Sequence, residues 1–437
     1  MSDTEAPAAA GPQVLEVESV AVGGDGVARE PGGRVVFVPR TAPGDRVRVG
    51  LTEEHDRWAR GRVVELLEAG PGRTEPPCPH YEACGGCQLQ HLERGAELEA
   101  KARAVADALE RIGGRTVDPP EVEDSGPPLR YRNRVTFTLR REDGTAEAGY
   151  HRLEAPGRLL DVERCPLAEE PAAEAWSALR SSWGEGAAIL PEGDELRVTV
   201  RASATGRIAL LVEGGRGRPG DPDAVAAAVP GLACYAWRPD DGDRRLLAGA
   251  PTFPERWLGV DLRLGPETFL QVNRAAAAAM ERHLDRLAAE RLGGLEGRRA
   301  VDLYAGAGVR AMRWAGAGAR AAACESDREA VRSGREAARE VGVEVDFHAA
   351  AVEERAASLL PADLVVINPP RPGLSREAAG ILAEAEAGAL AYVSCDPATL
   401  GRDLERLGDR WRIVGLKAFD AFPQTAHVET IAWLEPG

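Results

Sequence analysis

The chain has 437 residues, more than one ordinary hydrophobic core serves, so two or three domains are expected. Its 44% hydrophobic content is that of a soluble globular protein, and no run of roughly 18 apolar residues is present to cross a membrane as a helix. A net charge of −16 argues against nucleic-acid binding by bulk charge, so any such role needs a local basic surface. The N-terminal MSDTEAPAAAGPQ has neither a basic nor an apolar leader segment. Residues 1–12 are expected to be a disordered tail, and the compartment the cytoplasm, where thiols stay reduced.

Residues 13–70 read as all-β. VLEVESVAV, RVVFVPR, DRVRVGL and RGRVVELLE are short β-branched runs, punctuated by Gly-Gly-Asp-Gly, Pro-Gly-Gly and Ala-Pro-Gly-Asp. Four or five strands at this spacing predict a small OB-like barrel. Residues 71–262 predict an α+β central domain. It opens on CPHYEACGGC, in which Cys78, Cys84 and Cys87 stand as C-x5-C-x2-C, with Cys165 following in ERCPL. Four thiolates suit an iron–sulfur cluster or zinc, because disulfides do not persist in a reducing compartment. Further on, RYRNRVTFTLRR carries five arginines and no acid. Arg130, Arg132 and Arg134 alternate, so on one strand they share a face. Two readings stand: a charged edge strand, or a phosphate-binding stripe with Tyr131 and Phe137 nearby for stacking.

Residues 263–437 alternate strand and helix patterns, which predicts a parallel, doubly wound sheet and makes the chain α/β in class. In VDLYAGAG a strand turns through Gly306 and Gly308 toward a helix, a place where backbone approaches a ligand closely. Glu325 ends the next strand, a position suited to binding both hydroxyls of a ribose. The motif is not G-x-G-x-x-G, and its D-x-x-x-G-x-G form points to S-adenosylmethionine rather than NAD. Asn368-Pro369-Pro370 follows another strand at the ligand-binding edge. In YVSCDPATL, Cys395 falls where a buried strand gives way to a loop. The residues alone leave it either a core thiol or a nucleophile. Cys234 and Cys324 read as core residues.

Taken together these motifs resemble the RNA uridine-5-methyltransferase family, especially members that modify 23S ribosomal RNA. The resemblance rests on the four cysteines, YRNRVTF, ETFLQVN, DLYAGAG, NPPRPG, YVSCDPATLGRD and FPQTAHVET, which occur in the family's order over nearly the whole chain. It implies a TRAM domain for the barrel, a 4Fe-4S site at Cys78, Cys84, Cys87 and Cys165, and a Rossmann-like methyltransferase domain. It implies Cys395 as nucleophile and Glu429 as base. Gln271, Tyr304, Glu325 and Asn368 would line the S-adenosylmethionine site, with Arg371 shaping the pocket. Three positions depart from the family pattern: Val309, Ala351 and Asn368 each replace a usual polar partner near the cofactor. The implied partner is RNA, 23S ribosomal RNA first, and the implied enzyme is a monomer. The alternatives are a transfer-RNA enzyme, an RNA-binding protein that has lost methylation, and a zinc-braced methyltransferase.

Overall fold

The computed structural model describes residues 11–437; the expected N-terminal tail lies almost wholly outside them. Gln13–Val20, Gly26–Arg29, Val35–Val38, Trp58–Glu68 and Arg46–Glu54 close, in that order, into a five-stranded barrel. Strict alternation drives it: Leu15 and Val17 point inward while Glu16 and Glu18 face water. The barrel core is eight small side chains, Leu15, Val17, Ala28, Val36, Val38, Val47, Val49 and Ala59. Gly26 is required there, because a Cβ would meet the Thr41 hydroxyl at 1.9 Å.

The segment after the cysteine loop does not stay with the central sheet. Helix Arg94–Arg111 packs Val105 and Leu109 into the C-terminal core beside Leu400 and Leu404. Gly401 lets the two helices close together; a Cβ there would lie 2.8 Å from the Ala108 carbonyl. Val122–Glu123 then adds to the C-terminal sheet as an edge strand, parallel to Trp411–Phe419. Residues 94–123 are therefore physically part of the C-terminal layer.

The central sheet has seven strands, in the order Arg245–Gly249, Leu232–Arg238, Ile208–Glu213, Glu195–Ala202, Arg134–Glu142, Thr145–His151, Leu159–Asp161. Helices Glu170–Ser182 and Pro222–Ala228 cover one face. Two expectations for the arginine stripe fail here. Arg134–Glu142 is an interior strand of the sheet, paired with Glu195–Ala202 from Arg134 on and with Thr145–His151 from Thr138 on, so it is no edge strand. Phe137 stacks on Trp176 in the core at 4.0 Å, and Tyr131 is buried with its hydroxyl donated to the Pro423 carbonyl at 3.0 Å. Neither offers a face to a base. The physical reason is period two: the odd-numbered apolar residues pack on the helices, and only the even-numbered face stays polar.

The C-terminal sheet has eight strands: Val345–Ala349, Arg320–Glu325, Arg299–Leu303, Ala362–Ile367, Ala387–Ser394, Glu429–Pro436, Trp411–Phe419 and Val122–Glu123. The first five run parallel, and Glu429–Pro436 runs antiparallel to both neighbours. Alternate residues feed two separate cores. Val366, Ala391 and Trp433 face one helical layer, while Ile367, Tyr392 and Leu434 face the other. Strands buried on both faces must be apolar throughout, which is why ADLVVI and AGALAYVS show no alternation. Cys234 and Cys324 are fully buried in these cores. Among the described residues no helix is long and apolar enough to cross a membrane.

Candidate active site

Four strand ends meet at the carboxyl edge of this sheet. Arg299–Leu303 leads into Tyr304, which adopts a left-handed φ of 59°, and then into Gly306 and Gly308 before helix Val309–Gly316. A left-handed tyrosine is a strained turn residue, of the kind found at ligand sites. Gly308 has no room for a side chain, since a Cβ would press on the Phe347 ring at 2.4 Å. Glu325 closes the neighbouring strand. Its Oε2 accepts the Gly306 amide at 2.9 Å, and its Oε1 accepts the Asp327 amide at 2.8 Å and the Ser326 hydroxyl at 3.0 Å. The carboxylate thus holds the glycine turn from behind.

A cavity of about 80 Å³ lies against this turn, lined by Gln271, Tyr304, Gly306, Val309, Arg310 and Asn368 among others. Three of the four expected cofactor residues therefore line one cavity, and Glu325 stands behind its wall. Site cavities usually hold about 300–1,000 Å³, so a nucleoside ligand would extend past the enclosed part. Phe269, 59% exposed, lies at the same cavity. Val309 contributes an apolar wall. Ala351 serves as N-cap of Val352–Leu359 without a side-chain cap bond.

Three residues here were not singled out by sequence. Asp302, 1% exposed, has its carboxyl pushed up to about 6 by burial, against the pull of Arg310. Arg310 Nη1 donates to Asp302 at 2.8 Å, and its Nη2 and Nε clamp Glu281 at 2.7 and 3.2 Å. Asp302 carried a signal, as the acid of the D-x-x-x-G-x-G turn. The Arg310–Glu281 pair carried none, because its members are 29 positions apart and on different helices.

Cys395 sits in the turn between strand Ala387–Ser394 and helix Pro397–Leu407. Asp396 caps that helix, accepting the Thr399 amide at 2.8 Å, and the Ser394 hydroxyl donates to the Asp396 carbonyl at 3.0 Å. The turn fixes where the half-buried thiol points. Glu429 opens the adjacent antiparallel strand. The last registered pair is Ser394 with Thr430, so the next position sets Cys395 opposite Glu429. Facing side chains on such strands start about 4.5–5.5 Å apart at Cβ. Two residues 34 apart in sequence are thereby placed side by side by strand register.

Their electrostatics are coupled. Burial pushes the Cys395 thiol up to about 11; the Glu429 charge adds to this and Arg371 opposes it. Burial thus outweighs the Arg371 charge, which favours the thiolate. Glu429 is 2% exposed, and burial raises it to about 7, opposed by Gln271 and Arg371. Gln271 Nε2 donates to Glu429 Oε1 at 3.3 Å, while Oε2 has no partner. A carboxylate tuned near 7, with a free oxygen, is suited to general-base work at neutral pH.

Cys78, Cys84, Cys87 and Cys165 line a separate cavity of about 350 Å³, together with Arg132 and Arg134. Burial raises the thiols of Cys78, Cys84 and Cys87, the last to about 12, and the charge of Cys165 adds to each. The Gly86 amide points at Cys84 Sγ at 3.3 Å. Among the described residues, no three His, Cys, Asp or Glu side chains converge closely enough to hold one metal ion. Of the arginine stripe, Arg132 and Arg134 turn to this cavity, and Arg130 is exposed in a left-handed turn.

Comparison with known proteins identifies related sequences and one closely similar fold. The TRAM domain family matches residues 13–64, the methyltransferase small domain 280–385, and the tRNA (Uracil-5-)-methyltransferase family 357–436. An uncharacterized RNA methyltransferase of Gloeobacter violaceus is 33% identical, over 96% of both chains. The 23S rRNA (uracil(1939)-C(5))-methyltransferase RlmD of Chromohalobacter salexigens is 32% identical over 96% of this chain and 88% of its own. The crystal structure of Pyrococcus abyssi tRNA (uracil-54, C5)-methyltransferase with S-adenosyl-L-homocysteine superposes with a TM-score of 0.75. It is 26% identical and covers 96% of this chain and 99% of its own. A cavity at a glycine turn beside a paired cysteine and glutamate, in a chain with full-length relatives of this kind, places the protein in the RNA uracil-5-methyltransferase family.

Proposed function

We propose that this enzyme methylates C5 of a uridine in 23S ribosomal RNA through a covalent bond between Cys395 and C6 of the base. The observation that carries the reading is the register that sets Cys395 opposite Glu429. C5 of uracil is too electron-poor to take a methyl group unaided. The Cys395 thiol releases its proton to solvent, and attack of the resulting thiolate on C6 forms an S–C6 bond and moves the ring π pair onto O4 as an enolate. C5 then forms its bond to the methyl carbon, whose bond to sulfur breaks. Bound S-adenosylmethionine supplies that electrophilic methyl and leaves as S-adenosylhomocysteine. Glu429 removes the C5 proton, the C–H pair restores the C5–C6 double bond, and the thiolate departs. In this reading Gln271 and Asn368 orient the methionine end of the cofactor, and Tyr304 and Glu325 shape its nucleoside end. The target base must leave its stack to enter between thiol and methyl donor.

Cys78, Cys84, Cys87 and Cys165 are proposed to hold a 4Fe-4S cluster that braces the central domain. A single zinc ion needs four sulfurs about 3.8 Å apart, from Zn–S bonds of about 2.3 Å, and no such convergence exists among the described residues. What supports a shared site is that all four cysteines line one cavity. Methyl transfer requires no electron from it. Cytoplasmic residence, a monomeric state and the boundaries 13–70, 71–262 and 263–437 complete the proposal, with residues 94–123 of the middle stretch packed on the C-terminal sheet.

The transfer-RNA reading is favoured by the structural likeness to the Pyrococcus abyssi enzyme and by the tRNA (Uracil-5-)-methyltransferase family match over residues 357–436; the 23S reading has the higher sequence identity on its side. Labelled S-adenosylmethionine with unmodified 23S RNA and transfer RNA separates them. The 23S reading expects 5-methyluridine in the ribosomal RNA from wild type and none from Cys395→Ala. Methylation of transfer RNA alone would overturn the substrate, and an active Cys395→Ala would overturn the covalent route.

A further inference from the structure

Glu429 has one long side-chain hydrogen bond and one free oxygen, so its own contacts do not aim it. Its position must come from the backbone. It pairs with Phe419 across the hairpin formed by Trp411–Phe419 and Glu429–Pro436, so the loop 420–428 that closes this hairpin decides where the carboxylate starts. That loop is held by a buried ionic cluster from a helix far away in sequence.

Lys101 is 1% exposed, Glu97 1% and Asp420 0%. Lys101 Nζ donates to Asp420 Oδ1 at 2.6 Å, to Glu97 Oε1 at 2.8 Å and to the Phe422 carbonyl at 3.2 Å. Glu97 Oε1 also accepts the Gln424 amide at 2.7 Å, and Arg94 bonds both carboxylates. Gln424 itself is left-handed, with φ of 72°. Its carbonyl accepts the Gln88 and Leu89 amides at 3.2 and 3.0 Å, from the stretch directly after Cys87. Docking of the helix does not require any of this, because Val105 and Leu109 already seat it in the apolar core. A buried lysine is unfavourable unless its partners are fixed, so the cluster also fixes the loop.

We infer that Lys101 is a positioning residue for proton abstraction: through Asp420, Phe422 and Glu97 it holds the loop that aims Glu429 at C5. The inference rests on the covalent reading above and deepens it. If the aim is lost, addition and methyl transfer still proceed, but the C5 proton stays. The S–C6 bond then cannot break, and a methylated enzyme–RNA adduct builds up.

The experiment compares Lys101→Met, the double variant Lys101→Met/Asp420→Asn, and Glu429→Gln as reference. The double variant leaves Arg94 and Glu97 as a balanced pair, which protects folding where the single variant strands a charge. Adduct is read on denaturing gels with 23S RNA, and S-adenosylhomocysteine affinity by calorimetry. Expected are a fall in kcat of about a hundredfold, KM and cofactor affinity within about twofold of wild type, and adduct accumulation like that of Glu429→Gln. Lys101→Arg should restore part of the rate. Wild-type kcat in a folded variant would overturn the inference, as would joint loss of methyl transfer and adduct while Glu429→Gln still traps it. If Glu429→Gln itself traps nothing, the covalent reading falls. Lys101 is then judged by the split between kcat and KM, and unchanged kcat overturns it.

Discussion

Replacing Glu429 by Gln should inactivate the enzyme and at the same time stabilise it above neutral pH. The carboxyl is 2% exposed and is raised from 4.5 to about 7, chiefly by burial. Between those values the folded chain holds a proton that the unfolded chain releases. Stability from this group is therefore complete below about pH 4.5 and is lost as pH rises through about 7. The shift corresponds to about 3 kcal/mol. Glutamine keeps the shape and the Gln271 contact but does not ionise. Urea unfolding of both proteins, followed by tryptophan fluorescence from pH 4 to 8.5, gives a difference in which groups remote from Glu429 cancel, and the Cys395 thiol, at about 11, titrates above this range. That difference should grow by about 3 kcal/mol in favour of Glu429→Gln between about pH 4.5 and 7 and then level off. Turnover should drop by about 10²–10⁴, the usual worth of a general base. A flat difference across this range would mean that Glu429 titrates as an ordinary surface acid. The argument for a base tuned by burial would then be refuted, whatever the activity.

Further outcomes follow from the same geometry. Because the Glu429 charge raises the Cys395 thiol, Glu429→Gln should lower it and speed alkylation of Cys395 by iodoacetamide at pH 8, read by mass spectrometry of its peptide; an unchanged rate would uncouple the pair. Glu325→Ala removes the acceptor of the Gly306 amide and should weaken S-adenosylhomocysteine binding by about 10–100-fold, with Glu325→Gln recovering part, as measured by calorimetry. Anaerobic preparations should be brown and contain iron and sulfide, and Cys165→Ser should lose both with a lower melting temperature; a colourless protein with zinc would refute the cluster.

The barrel and the doubly wound sheet were legible because their signals are local. Alternation at Leu15 and Val17, and unbroken apolar runs such as ADLVVI, report burial on one face or on two. The glycine turn was legible for a similar reason: Gly308 has no space for a Cβ, so its identity records the geometry. The arginine stripe misled because alternation says which residues share a face, not whether that face meets solvent. Arg132 and Arg134 share the cysteine cavity instead. The destination of helix Arg94–Arg111 was not legible either, since its apolar stripe fits any core and only the close approach at Gly401 selects the C-terminal one.

The active site divides along the same line. Composition and periodicity cannot tell Cys395 from a core thiol; only the family pattern around it does. For the proposed mechanism the structure adds a physical basis: antiparallel register brings Cys395 and Glu429 together, and register depends on the whole hairpin from Trp411 to Pro436. A slip of one residue would turn Glu429 to the opposite face of the sheet. In the proposed mechanism the loop closing that hairpin is therefore as much a part of the chemistry as the carboxylate it carries. Its fastening to Lys101, more than 300 positions earlier, is a contact that no local pattern in the sequence could announce.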